Sequence, residues 1–75
     1  MTRLEALKWW YTNHKDKESA IYHKEIDKDV LPYHVEMSDM GLLTGYWIYD
    51  KESRPSKWMV HLSDFGKVYC KELFN

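Results

Sequence analysis

Met40-Gly41-Leu42-Leu43, Tyr46-Trp47-Ile48-Tyr49-Asp50, Lys57-Trp58-Met59-Val60-His61-Leu62 and Ser63-Asp64-Phe65-Gly66 follow one another in the second half of the chain. In that order they spell a helix end, two strands and a new helix start. Gly41 can close a helix in the left-handed conformation that other residues resist. The two strand segments are rich in aromatic and β-branched residues, and Lys51-Glu52-Ser53-Arg54-Pro55-Ser56 between them has turn composition. They read as a β-hairpin with a loop of about six residues. Alternation puts Trp58, Val60 and Leu62 on one face, expected to pack on helices, and Lys57, Met59 and His61 on the other. In the first strand Trp47 and Tyr49 share a face, as do Tyr46 and Ile48, and alternation alone leaves open which pair is buried. Ser63 can cap a last helix whose Phe65, Val68, Tyr69 and Leu73 recur at helical spacing and are expected to return to the core.

Upstream, Thr2-Arg3-Leu4-Glu5 is a capping-box pattern that predicts a helix over about residues 3–14. Its Leu4, Leu7 and Tyr11 share one face, with Ala6 and Trp10 beside them, while Trp9 and Trp10 point roughly 100° apart. One indole can enter the core and leave the other for a second surface. A second helix is expected after the polar Lys15-Asp16-Lys17-Glu18 connector, capped by Ser19 or Asp16, with Ile21, Tyr22, Ile26 and Val30 inward. A turn near residues 29–31 then leads to Pro32, which suits a helix's first turn because its missing amide hydrogen is not needed there. A third helix over about residues 32–40 follows, with Met37 and Val35 inward. Tyr33, Val35 and Met37 also alternate with His34, Glu36 and Ser38, as in a strand, which would give a three-stranded meander flanked by two or three helices.

Seventy-five residues make one small domain, and 44% hydrophobic and 16% aromatic composition gives it material for a core. Four Trp and six Tyr exceed what so small a core needs, so surplus rings are expected on a partner surface. Trp9, Trp10 and Phe74 are the candidate dimer or partner contacts. The lone Cys70 cannot form an intramolecular disulfide, and no stretch resembles a signal peptide or membrane span, so a cytoplasmic location without membrane association is expected. Net charge is −1, which supplies no global attraction to nucleic acid.

Taken together, Met40-Gly41-Leu42-Leu43, Tyr46-Trp47-Ile48-Tyr49 and Leu62-Ser63-Asp64-Phe65-Gly66 resemble the wing half of PadR-like and MarR-like transcription regulators. These belong to the winged helix-turn-helix superfamily. The resemblance covers about half the chain and implies an α+β winged-helix domain of three helices, a two-stranded wing and a C-terminal helix. It also implies duplex DNA binding by a transcriptional regulator, with one helix in the major groove and the hairpin tip on phosphates. Lys24, Lys28, Lys51, Arg54 and Lys57 are the expected phosphate contacts, and Tyr33, His34 and Ser38 the expected base readers. Residues 31–40 carry Glu36 and Asp39 but no Lys or Arg, a departure from the usual chemistry of base readout. The alternative is a winged-helix module that binds protein, which suits the near-neutral charge, the acidic third helix and the surplus aromatics. His14, His23, His34 and His61 match no metal-ligand spacing, and three glycines form no phosphate loop, so neither metal, cofactor nor enzymatic activity is expected.

Overall fold

The computed structural model describes residues 1–74 as an α+β fold of three α-helices and a three-stranded antiparallel sheet. Helix α1 (Arg3–Asn13) opens on the expected capping box: Thr2 Oγ1 accepts from the Glu5 amide at 3.2 Å, and the Glu5 carboxylate accepts from the Thr2 amide at 2.8 Å. These bonds to the ionised form hold the Glu5 pKa below its ordinary value. α1 buries Ala6, Leu7 and Trp10, whereas Leu4 stays half exposed.

The expected second helix does not form. Ile21–Tyr22 is instead a short strand, β1, and 3-10 turns lie at Lys17–Ser19, His23–Glu25 and Leu31–Tyr33. Local chemistry accounts for this. Ile21 and Tyr22 favour extended backbone, and Asp27 diverts helix donors: its carboxylate accepts from the Asp29 amide at 2.8 Å, and its carbonyl from the amides of Val30 and Leu31. The apolar residues still reach the interior, with Ile26 and Val30 buried and Ile21 and Tyr22 half-buried. The strand alternative for residues 33–38 fails as well. Pro32 lies in the first turn of the Leu31–Tyr33 3-10 helix, which runs directly into α2 (His34–Asp39). Met37 of α2 is buried, while Val35 is 69% exposed rather than inward.

α2 ends at Gly41, whose φ is +76°. The Leu42 amide returns to the Met37 carbonyl and the Gly41 amide to the Ser38 carbonyl, both at 3.0 Å, the paired bonds of a Schellman stop. Strand β2 (Leu43–Tyr49) and strand β3 (Pro55–Leu62) then form the hairpin; β2 begins earlier at the base than its aromatic run indicates, and β3 takes in Pro55 and Ser56, expected in the loop. The sheet order is β1-β3-β2. Leu43 pairs with Leu62, Gly45 with Val60 and Trp47 with Trp58, so these residues share the inner face; Ile21, opposite Val60, joins them. Of the two pairs left open by alternation, Trp47 and Tyr49 take the inner side, yet they remain 47% and 57% exposed.

Helix α3 (Asp64–Phe74) closes the fold. Ser63 caps it by accepting from the Gly66 amide at 2.8 Å, and its hydroxyl donates to the Gly41 carbonyl at 2.6 Å. One side chain thus ties the end of α2 to the start of α3. Gly66 faces the Leu42 carbonyl so closely that a Cβ there would lie 2.1 Å from that oxygen.

Candidate interaction surfaces

Amphipathic spacing puts an apolar stripe on α3, but the stripe faces away from the core. Gly66 and Cys70, one turn apart, are the buried positions, because only small side chains let the helix approach Leu42 so closely. Phe65, Val68 and Tyr69 lie around the helix from this seam, Leu73 follows one turn beyond Cys70 near the helix end, and the four remain 58%, 59%, 38% and 48% exposed. This corrects the expectation that they return to the core. With Glu72 they line an open groove of about 380 Å³, in which Glu72 is the one charged residue among the described residues. Covering one such half-exposed side chain contributes roughly 1 kcal/mol, so the face as a whole favours burial. Gly66 and Cys70 at i, i+4 within Gly66-Lys67-Val68-Tyr69-Cys70 were the legible signal for the buried seam.

The expected aromatic contacts are placed differently. Trp10 is fully buried and has no surface to offer a partner. Trp9 packs edge-on against it with ring centroids 5.1 Å apart, and Phe74 stacks on Tyr11 at 5.9 Å. All three belong to the core or its margin.

The expected DNA contacts do not converge on α2. The Tyr33 hydroxyl donates to the Met1 carbonyl, Arg3 pairs with Glu36 at 2.8 Å, and His34 is half-buried beside Trp10. Of the proposed readers only Ser38 is exposed, beside Asp39. Burial first, and then the nearby His23, hold the His34 pKa below its ordinary value. At the hairpin tip Arg54 is engaged by Asp50 at 3.5 Å and Glu52 at 3.4 Å. Lys57 lies over the Tyr22 ring, 5.2 Å from its centroid. Lys24, Lys28 and Lys51 are exposed. Tyr22 pairs with Met59, and His23 Nδ1 lies 3.3 Å from the Trp58 carbonyl oxygen where the chain leaves the sheet in the 3-10 turn that holds Lys24.

A different pair of buried polar atoms was not foreseen. Trp10 Nε1 and His34 Nε2 find no hydrogen-bond partner among the described residues, and their rings lie 6.5 Å apart. His34 also borders a cleft of about 280 Å³ between α2 and the sheet, with Ser38, Leu43, Gly45, Trp58 and Val60. Cys70, fully buried, has its thiol pKa pushed up to about 11 by desolvation. Among the described residues no cluster of His, Cys, Asp and Glu could hold a metal, and no helix is long and apolar enough to cross a membrane. No protein-family model, curated protein or solved structure matches the chain.

Proposed function

We propose that this chain is a winged-helix-like protein-interaction module whose docking surface is the outer face of α3. The observation that carries the proposal is the exposed stripe of Phe65, Val68, Tyr69 and Leu73 on a helix whose other face is already packed. An amphipathic helix of a partner protein is the occupant that this surface suits. Its apolar side chains would cover the stripe, and a Lys or Arg among them would meet Glu72, which otherwise would be left as an unpaired carboxylate within an apolar contact. The wing reading is supported by the order α2, Gly41, hairpin, α3. A cytoplasmic location belongs to the same proposal.

The test is site-specific photo-crosslinking in native extract, with the photoreactive residue at Leu73 or, as control, at exposed Thr12. An adduct specific to position 73 that disappears in Val68→Glu is expected. No adduct, or the same adduct from position 12, would overturn the proposal.

A second reading keeps duplex DNA as the ligand, through the hairpin rather than α2. It is favoured by exposed Lys24 just after β1, by Lys57 on β3 and by exposed Lys51 at the tip. The acidic side chains on α2 and the engagement of Arg54 weigh against it. Salt-sensitive binding to a mixed-sequence duplex at about 50 mM salt, lost when Lys51 and Lys57 become Ala, is its expected signature. Absence of such binding removes this reading and leaves the first intact.

A further inference from the structure

β2 is an edge strand, and its hydrogen-bond register identifies which backbone groups are free. The Ser63 amide donates to the Leu42 carbonyl at 2.9 Å, whereas the Leu62 amide turns away from β2 to the His14 carbonyl at 3.0 Å. Leu43 and Leu62 are thus a pair that exchanges no hydrogen bonds, and the pattern alternates along the ladder. Thr44, Tyr46 and Ile48 bond to β3, while Leu43, Gly45 and Trp47 turn their amides and carbonyls to the open edge. The register is regular up to Ile48, with its one irregularity at Ile48/Tyr49. Residues 43–49 contain no charge and no proline, the usual devices that keep an edge from pairing.

We propose that β2 pairs with β2 of a second copy of this chain, antiparallel about a two-fold axis at Tyr46, joining the two sheets edge to edge. The open groups select this register. Gly45 of each copy faces Trp47 of the other, so both outward residues exchange bonds with outward residues inside the regular part of the strand. On the outer face the same register sets Thr44 opposite Ile48 and Tyr46 opposite its own symmetry mate, uncharged β-branched and aromatic pairs of the kind that stabilise sheets. On the inner face the incoming Trp47 lies opposite Gly45, whose missing side-chain position is covered by the Trp58 ring, so the incoming indole meets Trp58 at the margin of the cleft of about 280 Å³ that Trp58 lines with His34, Ser38 and Leu43.

Thr44 lines the cleft beside α2 and faces Ile48 of the other copy, which offsets the two clefts by about 13 Å along the strands. Self-pairing through β2 is independent of the α3 proposal, because it uses no residue of that helix.

Sedimentation equilibrium of the full chain up to about 100 µM, with amide hydrogen exchange at the same concentrations, tests the pairing. A dimer is expected, with the Gly45 and Trp47 amides exchanging more slowly as concentration rises. Thr44→Lys with Ile48→Lys sets like charges opposite each other and is expected to weaken the dimer about tenfold; Thr44→Lys with Ile48→Glu is expected to restore it. Circular dichroism confirms that each variant folds. A monomer at every concentration, a dimer in which those two amides stay fast, or failure of the charge swap to rescue would overturn the proposal. So would loss of the dimer through Val68→Glu, which would place the contact on α3.

Discussion

Two glycines act through different physics, and their substitutions separate the effects. Gly41 has open space around its Cβ position but a φ of +76°, so Gly41→Ala meets only the left-handed backbone penalty, about 1 kcal/mol. At Gly66 the obstacle is the Leu42 backbone carbonyl, which cannot rotate aside. Gly66→Ala is expected to cost at least 2 kcal/mol, in the range of overpacked cores, when both variants are compared by urea denaturation. Gly41 was legible because glycine after an amphipathic run signals a helix end, but the close approach at Gly66 depends on a partner 24 positions away in sequence. His34 adds a pH dependence with a definite sign. Its folded pKa lies below the ordinary 6.5, so the folded chain binds that proton less tightly than the unfolded chain does. Its contribution is present above about pH 6.5 and lost as pH falls below it, and His34→Gln is expected to flatten the acid limb of stability measured against pH.

At the scale of elements, local signals were readable where one residue type decides and failed where tertiary contacts did. The capping box of α1, Pro32 before α2, the Gly41 stop and the Ser63 cap all appear where residue chemistry puts them. Ser63 serves two elements at once, so Ser63→Ala is expected to lose about 1–2 kcal/mol of stability, more than an ordinary exposed cap, with α3 fraying visible by amide exchange at Gly66. The second helix misled because Ile21, Tyr22, Ile26 and Val30 fit a helical stripe while β3 offered Ile21 and Tyr22 a free strand edge. α3 misled in the opposite sense. Its helix and its apolar stripe were both legible, but spacing alone cannot say whether a stripe faces the chain's own core or another molecule.

For the whole molecule, the aromatic surplus divides into two populations. Trp9, Trp10 and Phe74 stabilise the interior and its rim, whereas Phe65 and Tyr69 on α3, beside Val68 and Leu73, and Trp47 and Tyr49 on the hairpin remain at the surface. The fully buried Cys70 lies on the inner side of α3 and reports whether that helix stays docked. With its thiol pKa raised to about 11, it is expected to resist alkylation at pH 8 until the chain unfolds. The outer side of α3 then requires no contact within its own chain, and this separation of stability from binding is the core of the proposed function. Its most direct test is the double substitution Val68→Glu with Tyr69→Glu, scored in one experiment for unfolding free energy and for crosslinking from position 73. A stability change within about 0.5 kcal/mol and complete loss of the adduct are expected. A loss of 2 kcal/mol or more in stability, or an adduct that survives, would contradict it.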